Sequence, residues 1–217
     1  MQPSIYISNI ILSNFRSHEK FTINSNSKNI VLFGKNGVGK TNILESISLL
    51  SPGRGLRNAK NEEIINKNTN TDYGLSANLQ FDNNSIKIKK TYLRDETKKS
   101  NLFIDDEKSK TADLLNFLRV IWVTPVMEKI MLQSNSERRN FFDRLIFNIE
   151  KKHLKAFTAY NKFTKERLHI LKSNAPDSAW LEQIEKKIAV CAYEIIEYRQ
   201  AAISKINTNL SLSLIHI

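Results

Sequence analysis

The sequence predicts an α/β fold followed by a helical hairpin. An apolar segment, a glycine-rich loop and a helical pattern follow one another over residues 29–50, which is the order of a strand–loop–helix unit. Residues 75–81 and 86–92 alternate between apolar and polar side chains, as half-buried strands do. From residue 181 onward, apolar side chains repeat as a heptad, which predicts packed helices. The predicted parts are a domain over 1–133, a helical arm over 134–207 and an end segment over 208–217.

The glycine-rich loop spans residues 34–41 and fits the pattern G-x-x-x-x-G-K-[ST] of phosphate-binding loops. Glycine reaches positive φ without a steric penalty, so the backbone N–H groups of such a loop can close around an anion. Lys40 is placed to neutralise the β- and γ-phosphates of a nucleotide, and the Thr41 hydroxyl to hold Mg²⁺. The predicted nucleotide-binding residues are Gly34, Lys35, Asn36, Gly37, Val38, Gly39, Lys40 and Thr41.

The segments that flank the loop support this interpretation. Residues 29–33 form an apolar run that predicts a short buried strand leading directly into Gly34. After Thr41, apolar residues return at helical spacing through Leu50, so the N-terminus of a helix is expected to point at the phosphates. An ordinary glycine-rich turn would explain the break in structure, but it would not explain the adjacent lysine and threonine.

The composition favours an anionic partner. The chain carries 33 Lys and Arg residues against 22 Asp and Glu residues, a formal net charge of +11. Nucleic acid is the common partner of such a protein, although a lysine-rich surface also serves solubility alone. The single cysteine, Cys191, excludes an internal disulfide and a cysteine-based metal cluster. Because the sequence shows neither a signal peptide nor an apolar stretch of membrane-spanning length, we expect a cytoplasmic protein.

Several basic residues are candidates for contacts with phosphate groups. Arg16 lies in a short loop between predicted strands at 5–12 and 20–23, close enough in the chain to serve the nucleotide site. The other candidates are Arg54 and Arg57, after the loop helix, and Lys87, Lys89 and Lys90, on the predicted polar face of a β-hairpin. For each of these residues a solvated turn or strand face is the simpler interpretation, and phosphate binding is the more specific one.

Neither of two other segments qualifies as the acidic strand of a phosphate-loop ATPase. Residues 102–107 end in acids, but a central strand must be apolar on both faces, and only three apolar residues precede Asp105. We therefore predict the end of a surface hairpin there. Residues 120–123 are a better buried strand, but Thr124 and Pro125 follow them in place of an acid.

The C-terminal part is predicted to be helical. Ser136 is a plausible N-cap of a first helix, which carries Arg138 and Arg139 on its polar side. These arginines are solvated, or they bind phosphate or a neighbouring domain. An apolar stripe over 157–171 and the heptad over 181–202 predict two antiparallel helices that pack on each other.

Several short stretches carry a resemblance to a known family. They are Leu12-Ser13-Asn14-Phe15-Arg16, the loop 34–41 with its continuation to Ile47, Leu49-Leu50-Ser51-Pro52-Gly53-Arg54, Trp122-Val123-Thr124-Pro125, the block Arg138-Arg139-Asn140-Phe141-Phe142-Asp143-Arg144, Glu166-Arg167-Leu168 and Trp180-Leu181-Glu182. Together they resemble RecF, a bacterial family of recombination-mediator ATPases. The fold that this implies is a P-loop ABC/SMC-type ATPase head, with lobe I incomplete and an inserted helical-hairpin lobe.

The resemblance implies a protein of DNA replication, repair, recombination and the SOS response. Such a protein binds gapped DNA at single-strand/double-strand junctions in an ATP-dependent way and promotes RecA loading with RecR and, functionally, RecO. It also implies that ATP and Mg²⁺ bind at residues 34–41 with Arg16 near the phosphates, and that the complete family protein forms an ATP-dependent homodimer. The DNA-binding or interface candidates are Arg54, Arg57, Lys87, Lys89, Arg138 and Arg139.

The sequence also departs from the family. It contains no LSGGQ-like signature, no hydrophobic strand that ends in Asp-Glu and no following His switch, all of which lie beyond the helical arm in the family. We therefore expect the N-terminal part of a RecF protein, from a truncated or frameshifted gene or a partial record. The missing acid would hold Mg²⁺ and position the attacking water, so we expect ATP binding without meaningful hydrolysis by this polypeptide alone.

Two alternatives remain at this point. The chain could be a nucleotide-binding remnant without ATPase activity, or a small P-loop kinase that transfers phosphate to a metabolite. The kinase would need an acceptor site and an arginine-bearing lid, and the heptad arm and the basic charge balance argue against it.

Overall fold

The computed structural model describes residues 5–69, 71–81, 84–94, 100–173 and 177–214. The chain divides into two compact units, 1–122 and 123–217. The predicted boundary at residue 133 therefore falls inside the second unit. The sequence also predicts turns over 82–85 and 173–178. Residues 82–83 and 174–176 of these turns, and residues 215–217 of the predicted end segment, lie outside the described residues.

The first unit is built on a six-stranded antiparallel sheet with the order β2-β1-β3-β4-β5-β6. The strands are β1 (Ile5–Phe15), β2 (His18–Asn24), β3 (Tyr73–Phe81), β4 (Asn84–Tyr92), β5 (Ser100–Ile104) and β6 (Glu107–Ser109). The strands predicted at 5–12, 20–23, 75–81 and 86–92 are confirmed. An irregularity in register between Ile7 and Asn9 interrupts the alternation of β1, as a bulge does.

One face of the sheet carries the core of this unit. Leu12, Leu75 and Ile88 lie on three neighbouring strands and are fully buried, and each such side chain contributes about 1.5–3 kcal/mol on burial. Tyr73 stacks on Tyr92 with ring centroids 5.7 Å apart. The face is covered by residues from α1 (Lys40–Ser48), α2 (Asn61–Ile64), a 3₁₀ helix (Thr111–Asn116) and the segments between them.

The prediction that Lys90 lies on the polar face of the hairpin is wrong. Its side chain lies on the core face with Ile86, Ile88 and Tyr92, and the residue is 8% exposed. Successive side chains of a strand point to opposite faces, so the alternation of its neighbours already assigns position 90 to the core. Lys87 and Lys89, on the opposite face of the strand, are exposed as predicted.

Two apolar segments predicted as buried strands are not strands. Within the described part of the chain, residues 29–33 and 120–123 pair with no strand of the sheet. Val31 and Phe33 are 83% and 91% exposed, and Val123 is 83% exposed. An apolar run shows only that a segment can be buried. A strand also needs hydrogen-bonding partners on a neighbouring strand, and the run does not identify them.

The prediction that residues 102–107 end a surface hairpin is confirmed. β5 pairs with β6 through Ile104 and Glu107, and the two residues between them form the turn. Asp105 and Asp106 have φ values of 50° and 64°, as the favoured two-residue hairpin turns require. These acids therefore lie in a turn at the sheet surface, not at the end of a central strand.

The second unit is helical. A 3₁₀ helix (Pro125–Leu132) precedes α3 (Asn135–Ile149), α4 (Lys151–Leu171) and α5 (Ser178–Leu214). The N-cap of α3 is Ser134 and not Ser136 as predicted, because Ser134 forms a capping box with Glu137. Within the described residues, no helix combines the length and the apolar character that a membrane crossing requires.

The predicted pairing of α4 with α5 is confirmed, and the heptad residues Ile184, Cys191 and Ile195 are buried as predicted. The stripe predicted on α4 is wrong in its second half: Leu168 is 52% exposed, whereas Ile170 is buried. Ile170 lies one position before the predicted Leu171, which is 43% exposed. Packing against α5 therefore selects an apolar stripe that is shifted by one position from the predicted one.

A buried carboxylate joins the three long helices. Asp143 of α3 accepts hydrogen bonds from His153 Nε2 of α4 at 3.0 Å and from Arg199 Nε and Nη2 of α5 at 2.8 and 2.7 Å. Burial alone would raise the pKa of Asp143, but the hydrogen bonds from His153 and Arg199 outweigh it and hold this pKa below its usual value. The carboxylate therefore stays charged and fixes how the helices meet.

We predict that Asp143→Asn lowers the free energy of unfolding by about 3 kcal/mol at neutral pH, because it leaves buried partners without their counter-charge. A carboxyl group with a lowered folded-state pKa stabilises the fold fully above its unfolded-state pKa of about 4 and loses this effect as the pH falls through the folded-state value. The difference between wild type and variant should therefore shrink below about pH 4. Urea denaturation followed by circular dichroism at several pH values measures it.

Glu182→Gln is the matched control. The Glu182 carboxylate lies 2.6 Å from Lys186 Nζ in an exposed pair on α5, and such pairs contribute less than about 1 kcal/mol. If Asp143→Asn destabilised the protein no more than this control, the role of Asp143 as the joint of the helices would be refuted.

Candidate functional site

The glycine-rich loop has the backbone geometry of an anion-binding loop. Gly34, Gly37 and Gly39 all adopt positive φ, at 144°, 88° and 96°, which residues with a Cβ rarely adopt. Gly39 is the N-cap of α1, and the helix begins at Lys40. The free N–H groups and the positive end of the helix dipole therefore lie at the loop.

Lys40 lies over the loop that it is predicted to serve. Its Nζ donates hydrogen bonds to the carbonyl oxygens of Gly34, at 2.6 Å, and Lys35, at 2.7 Å. A Cβ added at Gly37 would meet no heavy atom within 4 Å, so the space at this residue is open. The ammonium group thus stands beside an exposed loop, whose free backbone N–H groups are the kind that bind phosphate.

His18 is a residue of this site that the sequence did not single out. Its Nε2 lies 3.4 Å from the Gly39 carbonyl oxygen, and a Cβ at Gly39 would approach that nitrogen to 2.4 Å. Position 39 is therefore limited to glycine by space as well as by φ. Beside it, Asn42 Nδ2 donates to Ser17 Oγ at 2.8 Å, so the turn between β1 and β2 packs on the start of α1.

Glu45 is the buried charge beneath the loop helix, and the sequence analysis missed it. It is fully buried and accepts two hydrogen bonds from Arg16, Nε to Oε2 at 2.9 Å and Nη2 to Oε1 at 2.6 Å. Arg57 Nη1 donates to the same Oε2 at 2.5 Å. The helical spacing predicted Leu44 as the apolar position instead, but Leu44 is 51% exposed. Arg16 and Arg57, which flank the loop in the sequence, were the signal that could have identified Glu45 as their partner.

The Arg16 guanidinium makes a further contact with the chain. Its Nη1 donates to the Glu63 carbonyl oxygen at 2.5 Å, and its backbone N–H donates to the Ile64 carbonyl oxygen at 2.7 Å. In this arrangement Arg16 links the β1–β2 turn with α1 and α2. Its contact with a nucleotide phosphate stays a prediction.

The remaining basic candidates are dispersed over both units. Lys87 and Lys89 are exposed on the polar face of β4, where Lys87 Nζ lies 3.3 Å from Asp106. Arg54 lines a separate cavity of the first unit. In the second unit, Arg138 contacts the Met131 carbonyl oxygen and Asn135, and Arg139 lines two surface cavities. Their role in DNA binding stays a prediction.

The phosphate loop, the helix that follows it and the adjoining antiparallel sheet have the architecture of part of an SMC-type ATPase head. The chain belongs to the RecF/RecN/SMC N-terminal domain family, whose model matches residues 6–127.

Among its relatives, the chain is most usefully compared with RecF proteins. It is 33% identical over 191 residues to the DNA replication and repair protein RecF of Rhizobium rhizogenes, covering 87% of this chain and 51% of the relative. It is 32% identical over 210 residues to RecF of Rickettsia akari, covering 94% of this chain and 58% of the relative. The chain thus spans about half the length of these relatives.

A solved structure of the recombination mediator protein RecF-ATP in the RecFOR pathway has the same fold. It superposes with a TM-score of 0.85 at 28% sequence identity, covering 99% of this chain and 58% of that one.

We predict that Glu45→Gln lowers the free energy of unfolding by about 3 kcal/mol, since it leaves Arg16 and Arg57 without their shared counter-charge. Because Glu45 holds α1, amide hydrogen exchange should also accelerate in residues 40–48. Urea denaturation and hydrogen exchange measure the two effects.

Glu19→Gln removes the same charge from an exposed position of β2 and serves as the control, with an expected change within about 0.5 kcal/mol. Equal stabilities of the two variants would contradict the assignment of Glu45 as a buried counter-ion.

Proposed function

We propose that this chain is the nucleotide-binding, N-terminal part of a RecF-type DNA replication and repair protein and that ATP binds at residues 34–41. The loop geometry carries the proposal: three glycines at positive φ precede a helix N-terminus, and Lys40 lies over the opening. A helix N-terminus of this kind binds phosphate through its free N–H groups and its dipole. The likeness to RecF proteins supports ATP as the nucleotide.

Each residue of the loop has a distinct part in this proposal. The Lys40 ammonium exchanges its two carbonyl acceptors for β- and γ-phosphate oxygens, which form stronger, charge-assisted hydrogen bonds. Thr41 stands in the first turn of α1, where its hydroxyl can hold Mg²⁺. Arg16 lies near the phosphates in this proposal, because the β1–β2 turn packs on the start of α1, and its ion pair with Glu45 holds that start in place.

We predict that Lys40→Ala weakens ATP binding about 50-fold, because a charge-assisted contact contributes about 2–3 kcal/mol. Lys35→Ala removes the same charge from the same loop, but the pattern uses this position only through its backbone, so affinity should change less than about threefold. Titration with a fluorescent ATP analogue measures both variants. Equal losses would indicate general electrostatics rather than a specific lysine.

The same preparations separate binding from catalysis. We expect the 217-residue polypeptide to bind ATP without meaningful turnover, since no central strand among the described residues ends in a catalytic acid. Steady ATP hydrolysis by the wild type that Lys40→Ala abolishes would overturn this expectation.

We further propose that the polar face of the sheet contacts DNA phosphates. Lys89 on β4 pairs in register with Phe103 on β5, and Phe103 with Lys108 on β6, so the two lysines lie about 10 Å apart on one face. Lys87 lies two residues from Lys89 on the same face, although its ion pair with Asp106 competes with DNA. A row of exposed lysines suits the sequence-independent recognition of a phosphate backbone.

We predict that Lys87→Ala/Lys89→Ala lowers affinity for gapped DNA and reduces the slope of log K against log salt by about 2, one per lost phosphate contact. Lys155→Ala/Lys165→Ala removes two exposed charges from α4 and should leave the slope unchanged. Fluorescence anisotropy between about 50 and 200 mM salt provides the measurement. A slope equal in both variants would exclude the sheet face.

At the level of the complete protein, we propose ATP-dependent binding to single-strand/double-strand junctions, an ATP-dependent homodimer and RecR as partner, with RecO and RecA in the same process. The DNA or interface residues included in this proposal are Arg54, Arg57, Arg138 and Arg139. The names of the RecF relatives and of the RecFOR-pathway structure support it.

A further inference from the structure

Lys90 is an unusual residue in the first unit, because its charged side chain points into the covered face of the sheet. The residue is 8% exposed, and Nζ donates to the Leu49 carbonyl oxygen at 3.2 Å. An ammonium group has three hydrogens to donate, and among the described residues this carbonyl is its one hydrogen-bond partner. Burying a lysine without a counter-charge is costly, so the fold itself does not favour it.

A cavity of about 580 Å³ opens beside Lys90. Arg54, Lys60 and Lys110 line it together with Lys90, and these three make no ion pair within the described part of the chain. Glu62 contributes the carboxylate of the lining. The remaining lining residues are Leu49, Gly53, Ala59, Asn61, Tyr92, Ser100, Leu102, Ser109 and Thr111.

Four cationic side chains against one carboxylate leave this cavity electropositive. They come from four different segments: the loop after α1, the start of α2, strand β4 and the residue that follows β6. Convergent cations from separate segments, with amide and hydroxyl donors between them, can surround an anion on several sides. A basic patch that only binds anions at the surface would not require a buried lysine on the core face of the sheet. The position of Lys90 therefore favours a cavity site over a surface patch.

We propose that this cavity binds a terminal, dianionic phosphate group, with Lys90 at its floor and Arg54, Lys60 and Lys110 at its rim. A dianionic phosphate matches the excess of positive charge and offers several oxygens to the converging donors. The group could be free inorganic phosphate or the 5′-phosphate of a DNA strand, and both present the same chemistry. The site is separate from residues 34–41 and does not depend on ATP binding there.

The burial of Lys90 makes the site sensitive to pH. Desolvation lowers the pKa of Lys90 to about 8, so the ammonium is charged at neutral pH and loses its proton above that value. The titratable groups that line the cavity with it are Arg54, Lys60, Glu62, Tyr92 and Lys110. Affinity for phosphate should therefore be full below about pH 8 and fall as the pH rises through it.

The test uses the full chain with Lys40→Ala, so that the phosphate loop does not contribute. Isothermal titration with inorganic phosphate, and with a short oligonucleotide bearing a 5′-phosphate or a 5′-hydroxyl, is carried out at about pH 7 and about pH 9.5. We expect phosphate-dependent binding that weakens about tenfold at the higher pH. A preference for the 5′-phosphorylated strand over inorganic phosphate identifies a DNA end as the source. Absence of binding by inorganic phosphate, together with equal affinity for the 5′-phosphorylated and the 5′-hydroxyl strand, overturns the proposal.

Two variants separate binding from structure. Lys90→Met removes the buried charge but keeps the aliphatic length, so the fold should be at least as stable while phosphate binding is lost. Lys20→Met, at an exposed lysine of β2 that does not line the cavity, should bind as before. A Lys90→Met protein that is folded by circular dichroism and binds phosphate with unchanged affinity refutes the site. Should that variant unfold, Lys60→Ala/Lys110→Ala tests the rim, and unchanged affinity there refutes the site equally.

Discussion

The ion pair of Glu45 with Arg16 and Arg57 is the constraint on which the nucleotide site depends. A carboxylate that is fully buried must be paired, because the cost of removing it from water exceeds that of any single packing defect nearby. Its two arginines come from the β1–β2 turn and from the segment before α2. The start of α1, and with it the loop that we propose binds a phosphate, is thus fixed against two other segments by charge and not only by apolar packing.

The helical unit is also fixed by a buried carboxylate. Apolar stripes bring α4 and α5 together, but a stripe tolerates rotation of a helix by one position, as the shifted stripe of α4 shows. Asp143 removes this freedom, because its two oxygens accept from His153 on one helix and from Arg199 on another. Directional hydrogen bonds to a buried charge therefore select one arrangement among several that bury similar apolar area.

Lys90 differs from these carboxylates in a way that bears on function. Glu45 meets two arginines, and Asp143 meets an arginine and a histidine, so the burial of each carboxylate is compensated within the fold. Lys90 meets a carbonyl oxygen and a cavity lined by further cations. The surroundings of a buried charge distinguish one that stabilises the fold from one that is suited to bind a ligand. This contrast is the reason for proposing a second anion site.

The sequence by itself determined the phosphate loop, the hairpins of the sheet, the surface position of Asp105 and the helical arm. Each of these follows from local requirements: glycine for positive φ, alternation for a half-buried strand, a heptad for packed helices. Only the tertiary structure decided that residues 29–33 and 120–123 are not strands of the sheet, that Glu45 is the buried partner of Arg16, and that Lys90 faces the core. These outcomes depend on which distant groups meet, since strand pairing and charge pairing are contacts between separate segments that no local pattern records.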